Sequence, residues 1–182
     1  MSGRIFAIVG PSGVGKDTLL AGAVAADPRL HWAKRVITRP ASAGGEPFEG
    51  VTVEEFERRR AAGEFALHWT AHGLSYGIPT SEIAGLAEGR DILFNGSRAA
   101  LPAARAAFPE VRVIRISAPS SVLAERLLAR GRESRAEIEA RLARASYDLP
   151  PDCAVIDIRN DSTPQVGIAR LCAALRETRH VL

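Results

Sequence analysis

The segment Ile5-Phe6-Ala7-Ile8-Val9-Gly10-Pro11-Ser12-Gly13-Val14-Gly15-Lys16-Asp17-Thr18 constrains the fold of this chain more than any other. Its first five residues are apolar and rich in β-branching, which reads as a strand buried on both faces of a parallel sheet. Leu19–Val24 reads as the helix that follows. Between them Gly10, Gly15 and Lys16 keep the spacing of a phosphate-binding loop. The glycines let the backbone curl until several N–H groups point into one concavity, and the helix N-terminus adds its partial positive charge. Gly10, Pro11, Ser12, Gly13, Val14, Gly15, Lys16, Asp17 and Thr18 are therefore expected to bind ATP, with Lys16 set against the β- and γ-phosphates. One residue breaks the pattern: the Ser or Thr that normally follows the Lys and binds Mg²⁺ is Asp17. Either Asp17 brings a carboxylate to the metal, or Thr18 brings a hydroxyl one residue late, or Asp17 only favours the helix dipole.

A chain of 182 residues suits one domain with a sizeable core. With 46% hydrophobic and 25% charged residues it reads as globular rather than disordered. The net charge of +3 comes from arginines spread along the chain, which suits small phosphorylated ligands, and no nucleic-acid partner is expected. Cys153 and Cys172 have neither metal-ligand spacing nor the makings of a disulfide framework, so a reduced, cytoplasmic compartment is expected. The N-terminus runs straight into the first strand, so no signal peptide is expected. No apolar run approaches a membrane span, and no membrane partner is expected. The sequence leaves the oligomeric state open.

Strand-like segments near 5–9, 91–94, 111–116 and 153–158 alternate with helix-like segments near 16–26, 98–107, 119–130, 135–147 and 163–177. Such alternation predicts an α/β fold of the P-loop NTPase kind, with a central parallel sheet flanked by helices. Pro102, Ser117-Ala118-Pro119-Ser120 and Asp161-Ser162-Thr163-Pro164 mark helix starts. The segment from about 35 to 88 differs: it is rich in Gly, Pro and aromatic residues, with a short helix at Val53–Ala62 and several short strands. It reads as a small acceptor-binding insertion in a core of about 1–34 and 90–182. Arg126, Arg130, Arg132, Arg135, Arg141 and Arg144 cluster around Gly131. They form either a solvated face paired with Glu125, Glu133, Glu137 and Glu139, or an Arg-rich lid at about 130–142 that closes over phosphate.

Together the loop at 10–18, Val36-Ile37-Thr38-Arg39-Pro40, Glu54-Glu55-Phe56, Gly63-Glu64-Phe65, Tyr76-Gly77, and Arg130-Gly131 followed by Arg141-Leu142 resemble the guanylate kinase family over nearly the whole chain. The resemblance implies a core, an acceptor-binding insertion and a lid. It implies that Arg39 touches the acceptor phosphate, that Arg130 and Arg141 reach the transferring phosphates, and that Asn160 lies in the loop near the adenine.

The departures are as informative. The family reads guanine with carboxylates, but the expected positions hold Leu67, Asn95 and Ser97. A second Arg after Arg39-Pro40 aligns with Ser42, and a phosphate-contacting Tyr aligns near Phe48. A guanine site without its charged acceptors loses several powers of ten in discrimination, so GMP is not the expected acceptor. Gly15-Lys16-Asp17-Thr18, Val36–Pro40 and Asn95-Gly96-Ser97-Arg98 instead look like the ribose 1,5-bisphosphate phosphokinases of phosphonate degradation. That resemblance implies a small-molecule sugar phosphate as acceptor and ATP with Mg²⁺ as donor. An ionised phosphate needs no general base, so catalysis reduces to charge neutralisation and in-line positioning. Arg35, Arg39, Tyr76, Asn95, Ser97 and Arg98 are the candidates for the acceptor. Structural alternatives stand beside them: Asn95-Gly96 as a plain turn, Arg98 as a solvated side chain, Arg39 as a brace of the insertion, His68 and His72 as ordinary core or surface groups. Two further readings of the whole chain are a nucleoside monophosphate kinase and a non-catalytic interaction module, the latter disfavoured by the intact Lys16.

Overall fold

The apolar run at the N-terminus forms strand β1 (Ile5–Val9), buried at every position. It delivers the chain into the glycine loop and then helix α1 (Lys16–Ala26), which buries Leu19, Leu20 and Ala23. The computed structural model describes residues 2–43, 45–144, 148–150 and 153–178. After α1 come β2 (Leu30–Trp32), β3 (Arg35–Ile37), β4 (Phe48–Gly50), α2 (Val53–Ala61), β5 (Phe65–Ala71), β6 (Leu74–Pro79), α3 (Thr80–Ile83) and β7 (Asp91–Asn95). The chain ends with α4 (Leu101–Ala107), β8 (Arg112–Ser117), α5 (Ser120–Arg130), α6 (Arg135–Arg144), β9 (Val155–Arg159) and α7 (Pro164–Glu177).

The central sheet has the order β2-β7-β1-β8-β9. Both β1 and β2 run parallel to β7, and β8 runs parallel to β9. The expected parallel α/β sheet is therefore present, with one strand more than the sequence pattern suggested. That strand, β2, has only three residues, too few for a periodic signal. The segment 98–107 divides into a 3-10 turn (Arg98–Ala100) and α4, because Pro102 in the first turn offers no N–H to an earlier carbonyl. The last expected helical residues of 135–147 lie outside the described residues.

The chain forms two compact units. The first comprises Met1–Ile8 and Val24–Arg112. Besides its central strands it carries a second sheet of order β4-β3-β6-β5. There β3 and β4 are parallel, while β6 is antiparallel to both β3 and β5. The β5–β6 hairpin turns on His72 and Gly73, both at positive φ (53° and 75°), as a two-residue hairpin loop requires. This register sets Trp69 opposite Tyr76, and Tyr76 opposite Ile37. Helix α2 starts on Thr52, whose hydroxyl accepts from the Glu55 N–H at 3.2 Å.

The second unit comprises Val9–Ala23 and Val113–Leu182. It holds the glycine loop, most of α1, strands β8 and β9, and helices α5, α6 and α7. Its apolar centre includes Leu19, Leu20, Ile114, Ile116 and Leu171, all essentially inaccessible. Among the described residues no helix is long and apolar enough to cross a membrane.

Candidate active site

The loop between β1 and α1 is shaped by close backbone approach. A Cβ at Gly10 would stand 2.5 Å from the Ile116 carbonyl oxygen. Gly15 sits at φ +94°, where a Cβ would lie 2.7 Å from Nδ2 of Asn160. Both positions need glycine. Val14 is fully buried, and its carbonyl oxygen accepts two hydrogen bonds, from Asn160 Nδ2 at 2.8 Å and from Arg126 Nη1 at 3.2 Å. The Leu19 N–H donates to the Gly15 carbonyl at 3.1 Å, which closes the first turn of α1. Lys16 folds back over the loop, with Nζ donating to the carbonyl oxygens of Gly10 at 2.8 Å and Pro11 at 3.4 Å. Its charge thus stays on the loop at the start of α1, the end of a helix that favours an anion.

Asn160 is 4% exposed and anchored by its own N–H to the Ser117 carbonyl at 2.7 Å. Its Oδ1 packs against Gly167 of α7, where a Cβ would approach to 2.4 Å. The position expected near the adenine therefore holds the loop's shape. Arg126 joins it in that task, a role the sequence showed only as membership of an arginine cluster.

Asp17 is partly buried in the first turn of α1, and Thr18 beside it is exposed. Among the described residues no group of three or more His, Cys, Asp or Glu side chains is placed to hold a metal. Mg²⁺ keeps several waters and takes one or two protein oxygens together with those of a phosphate ligand, so a carboxylate and a hydroxyl side by side are donors of the right kind. Asp17 and Thr18 are the residues that would hold it.

Arg130 is the exposed last residue of α5, and Gly131 (φ +66°) ends the helix in the left-handed cap that glycine favours. Helix α6 then opens on a capping box. The Ser134 hydroxyl accepts from the Glu137 N–H, while the Glu137 carboxylate accepts from the Ser134 N–H at 2.7 Å and hydroxyl at 2.8 Å. These bonds, the backbone one first, hold the Glu137 carboxyl below its usual range. Arg141 Nη1 donates to Glu133 at 2.9 Å, an exposed pair. Pairs of this kind contribute about 0–1 kcal/mol.

The acceptor candidates all lie in the first unit. Asn95 ends β7, 6% exposed. Ser97 precedes the 3-10 turn that begins at Arg98, and its Oγ is buried with no hydrogen-bond partner. Arg98 is exposed. The Arg39 guanidinium lies 4.2 Å from the centre of the Phe48 ring. Arg35 is different: it is 8% exposed and its guanidinium holds both carboxylate oxygens of Glu46, with Nε donating to Oε2 at 3.0 Å and Nη2 to Oε1. It also lies 4.9 Å from the Tyr76 ring centre and 5.8 Å from that of Trp69. The structure thus joins Arg35 and Tyr76 in one stack. Glu46 and Trp69, which complete it, carried no motif.

A family model described as "Guanylate kinase" matches residues 2–161. Among curated proteins, a "Ribose 1,5-bisphosphate phosphokinase PhnN" of Ruegeria sp. (strain TM1040) is 54% identical over 149 residues, 81% of this chain and 78% of that protein. A "Bifunctional ribose 1,5-bisphosphokinase-thymidine phosphorylase" of Azorhizobium caulinodans is 48% identical over 177 residues, 96% of this chain; the chain spans 26% of the length of that relative. A solved guanylate kinase from Anaplasma phagocytophilum shares the fold with a TM-score of 0.67 at 22% identity, over 98% of this chain and 87% of the other. The glycine loop, the intact Lys16 and these matches together mean that the chain belongs to the guanylate kinase family.

Proposed function

We propose that the chain transfers the γ-phosphoryl group of ATP to the 1-phosphate of ribose 1,5-bisphosphate, giving 5-phosphoribosyl 1-diphosphate and ADP. The observation that carries this reading is the neutral end of β7. Asn95 and Ser97 offer an amide and a hydroxyl there, and Leu67, 2% exposed on β5, is apolar. A base with N–H donors finds no carboxylate in this set, whereas a sugar phosphate needs only such polar groups and cations. The kinship with proteins that carry the phosphokinase name supports the same choice.

In the transfer the bond from Pγ to the β,γ-bridging oxygen breaks, and a 1-phosphate oxygen forms the new bond to phosphorus. That oxygen is already ionised, so no proton moves and no general base is needed. The loop N–H groups and Lys16 hold the β- and γ-phosphates, and Arg130 and Arg141 neutralise charge on the transferring group. Arg39 and Arg98 take the acceptor phosphates, Asn95 and Ser97 bond the ribose or a phosphate, and Tyr76 offers its hydroxyl. Mg²⁺, held by Asp17 or Thr18, would neutralise the triphosphate charge.

A coupled ADP-release assay over a panel of acceptors tests the reading. Turnover of ribose 1,5-bisphosphate well above that of GMP is expected; efficient use of GMP with none of the bisphosphate overturns it. Asp17→Ser is expected to keep ATP binding and change the Mg²⁺ dependence, and an unaltered Mg²⁺ profile removes Asp17 from the metal.

A further inference from the structure

The Arg35–Glu46 pair has no step in the proposed transfer, yet both residues are 8% exposed. Withdrawing two charges from water costs several kcal/mol per ion before their attraction offsets it, and well-packed apolar residues often do as well. The sheet explains how the group forms. Tyr76 faces Ile37 on β3 and Trp69 on β5. Arg35 lies two residues from Ile37, hence on the same face as both rings. Trp69 and Tyr76 stack with centroids 5.3 Å apart and planes 7° from parallel. The guanidinium joins them at 4.9 Å and 5.8 Å, while Trp69, 6% exposed, leans on Phe94 at 6.4 Å.

Trp69 lies two residues from Leu67 on the same face of β5 and packs on Phe94, the neighbour of Asn95, so a planar heterocycle drawn to Leu67 and Asn95 meets three flat groups already stacked. Glu46 cancels the charge, and the nearby Leu67 accepts no hydrogen bond. A phosphate fares no better, because displacing Glu46 would leave a buried carboxylate unpaired.

We propose that Arg35, Glu46, Trp69 and Tyr76 form a selectivity plug, which fills with the chain's own planar groups the stacking space a nucleobase needs and so restricts the acceptor to base-free sugar phosphates. The proposal rests on the sugar-phosphate reading above. In it Arg35 is a positioning residue rather than a phosphate ligand.

The chain has two tryptophans, so Trp32→Phe leaves Trp69 as the sole indole fluorophore. In that background Arg35→Ser with Glu46→Ser removes both charges together, and neither is left alone. GMP is expected to quench the Trp69 fluorescence with a Kd at least about tenfold below that of the Trp32→Phe protein. The ratio of kcat/KM for ribose 1,5-bisphosphate over GMP is expected to fall by about thirtyfold. No added quenching and an unchanged ratio, in a protein that still melts cooperatively, overturn the plug. Glu46→Gln, which keeps the shape, serves if the double variant does not fold. With a plug its KM for the bisphosphate stays within about threefold of the parent's; a drop of about tenfold marks Arg35 as a phosphate ligand restrained by Glu46, and overturns the proposal. Failure of the underlying reading looks different, because there the unmodified protein itself turns over GMP and not the bisphosphate.

Discussion

The glycine loop and the second sheet serve the donor and the acceptor side of the proposed reaction, and they are made of opposite materials. The loop uses backbone: turns that need glycine at Gly10 and Gly15, a carbonyl at Val14 fixed by Asn160 and Arg126, and one charge, Lys16, laid on its own carbonyls. The sheet uses side chains from segments far apart in sequence, and its most buried cation, Arg35, is already neutralised by Glu46. The contrast teaches that burial and charge have separate uses here. A charge assigned to a changing ligand in the proposed transfer sits in an exchangeable pair, as Arg141 does with Glu133. A charge that fixes shape is buried and paired.

The largest expected effect comes from Lys16→Ala. Its Nζ donates to the carbonyl oxygens of Gly10 and Pro11 within the same loop, short-range bonds on which little of the fold depends. We expect kcat to fall by about a hundredfold to a thousandfold, the scale of losing one preorganised donor at a transferring group, with the melting temperature nearly unchanged. Steady-state kinetics beside thermal melting checks this. A large loss of stability with kcat retained breaks the contrast.

Arg35→Ala is the mirror case. It leaves the Glu46 carboxylate buried and alone, a change that costs about 3–5 kcal/mol. For a chain of this size that is a fall in melting temperature on the order of 10 °C. Arg35→Ala with Glu46→Ala is expected to be more stable than the single variant, since no uncompensated charge remains. A single variant as stable as its parent means that the pair does not fix shape.

The two regions also differ in how far the sequence reveals them. The loop is contiguous, so spacing alone places Gly10, Gly15, Lys16 and the helix behind them. The β5–β6 hairpin was half legible: a turn at His72-Gly73 forces Trp69 opposite Tyr76, and that register would have marked Trp69. Glu46 has no such rule, because no strand or helix period links position 46 to Arg35. Asn160 was found by resemblance, yet its amide meets the Val14 carbonyl across 146 positions, a contact that only the folded chain reveals. Strand β2 escaped for want of length. What sequence reads well is local backbone geometry; what it reads poorly is which side chain finishes another's hydrogen bonds.

Asn160→Ala probes the loop at the next scale down. It removes one of the two donors on the Val14 carbonyl and leaves Arg126 in place. The loss of one buried hydrogen bond corresponds to about 1 kcal/mol, and ATP affinity is expected to fall about fivefold because the loop is held less firmly. Calorimetric titration of ATP checks this. An unchanged affinity shows that Arg126 alone fixes the loop.

The smallest effect lies on the two surfaces. Glu55 on α2 accepts from Arg58 Nε at 2.8 Å and Nη2 at 2.9 Å, and from Arg59 Nε at 2.8 Å. Arg59 in turn reaches Glu49 on β4 at 2.7 Å, so the network ties the helix to the sheet. Those bonds, Arg58 first, push the Glu55 carboxyl down from 4.5 to about 2. A depressed carboxyl stabilises the fold above its unfolded value, and that contribution fades as pH falls from about 4.5 towards 2. The stability gap between the parent and Glu55→Gln should therefore be present at pH 7, at no more than about 2 °C for so exposed a group, and close across that acidic window. Glu137 offers the matching test in the second unit. Its partners are the N–H and hydroxyl of Ser134, which a glutamine also satisfies, so Glu137→Gln should cost less at pH 7 than Glu55→Gln. If Glu137→Gln costs more, charge rather than hydrogen-bond geometry holds the start of α6, and the division between shape-fixing and ligand-facing charges does not extend to the surface.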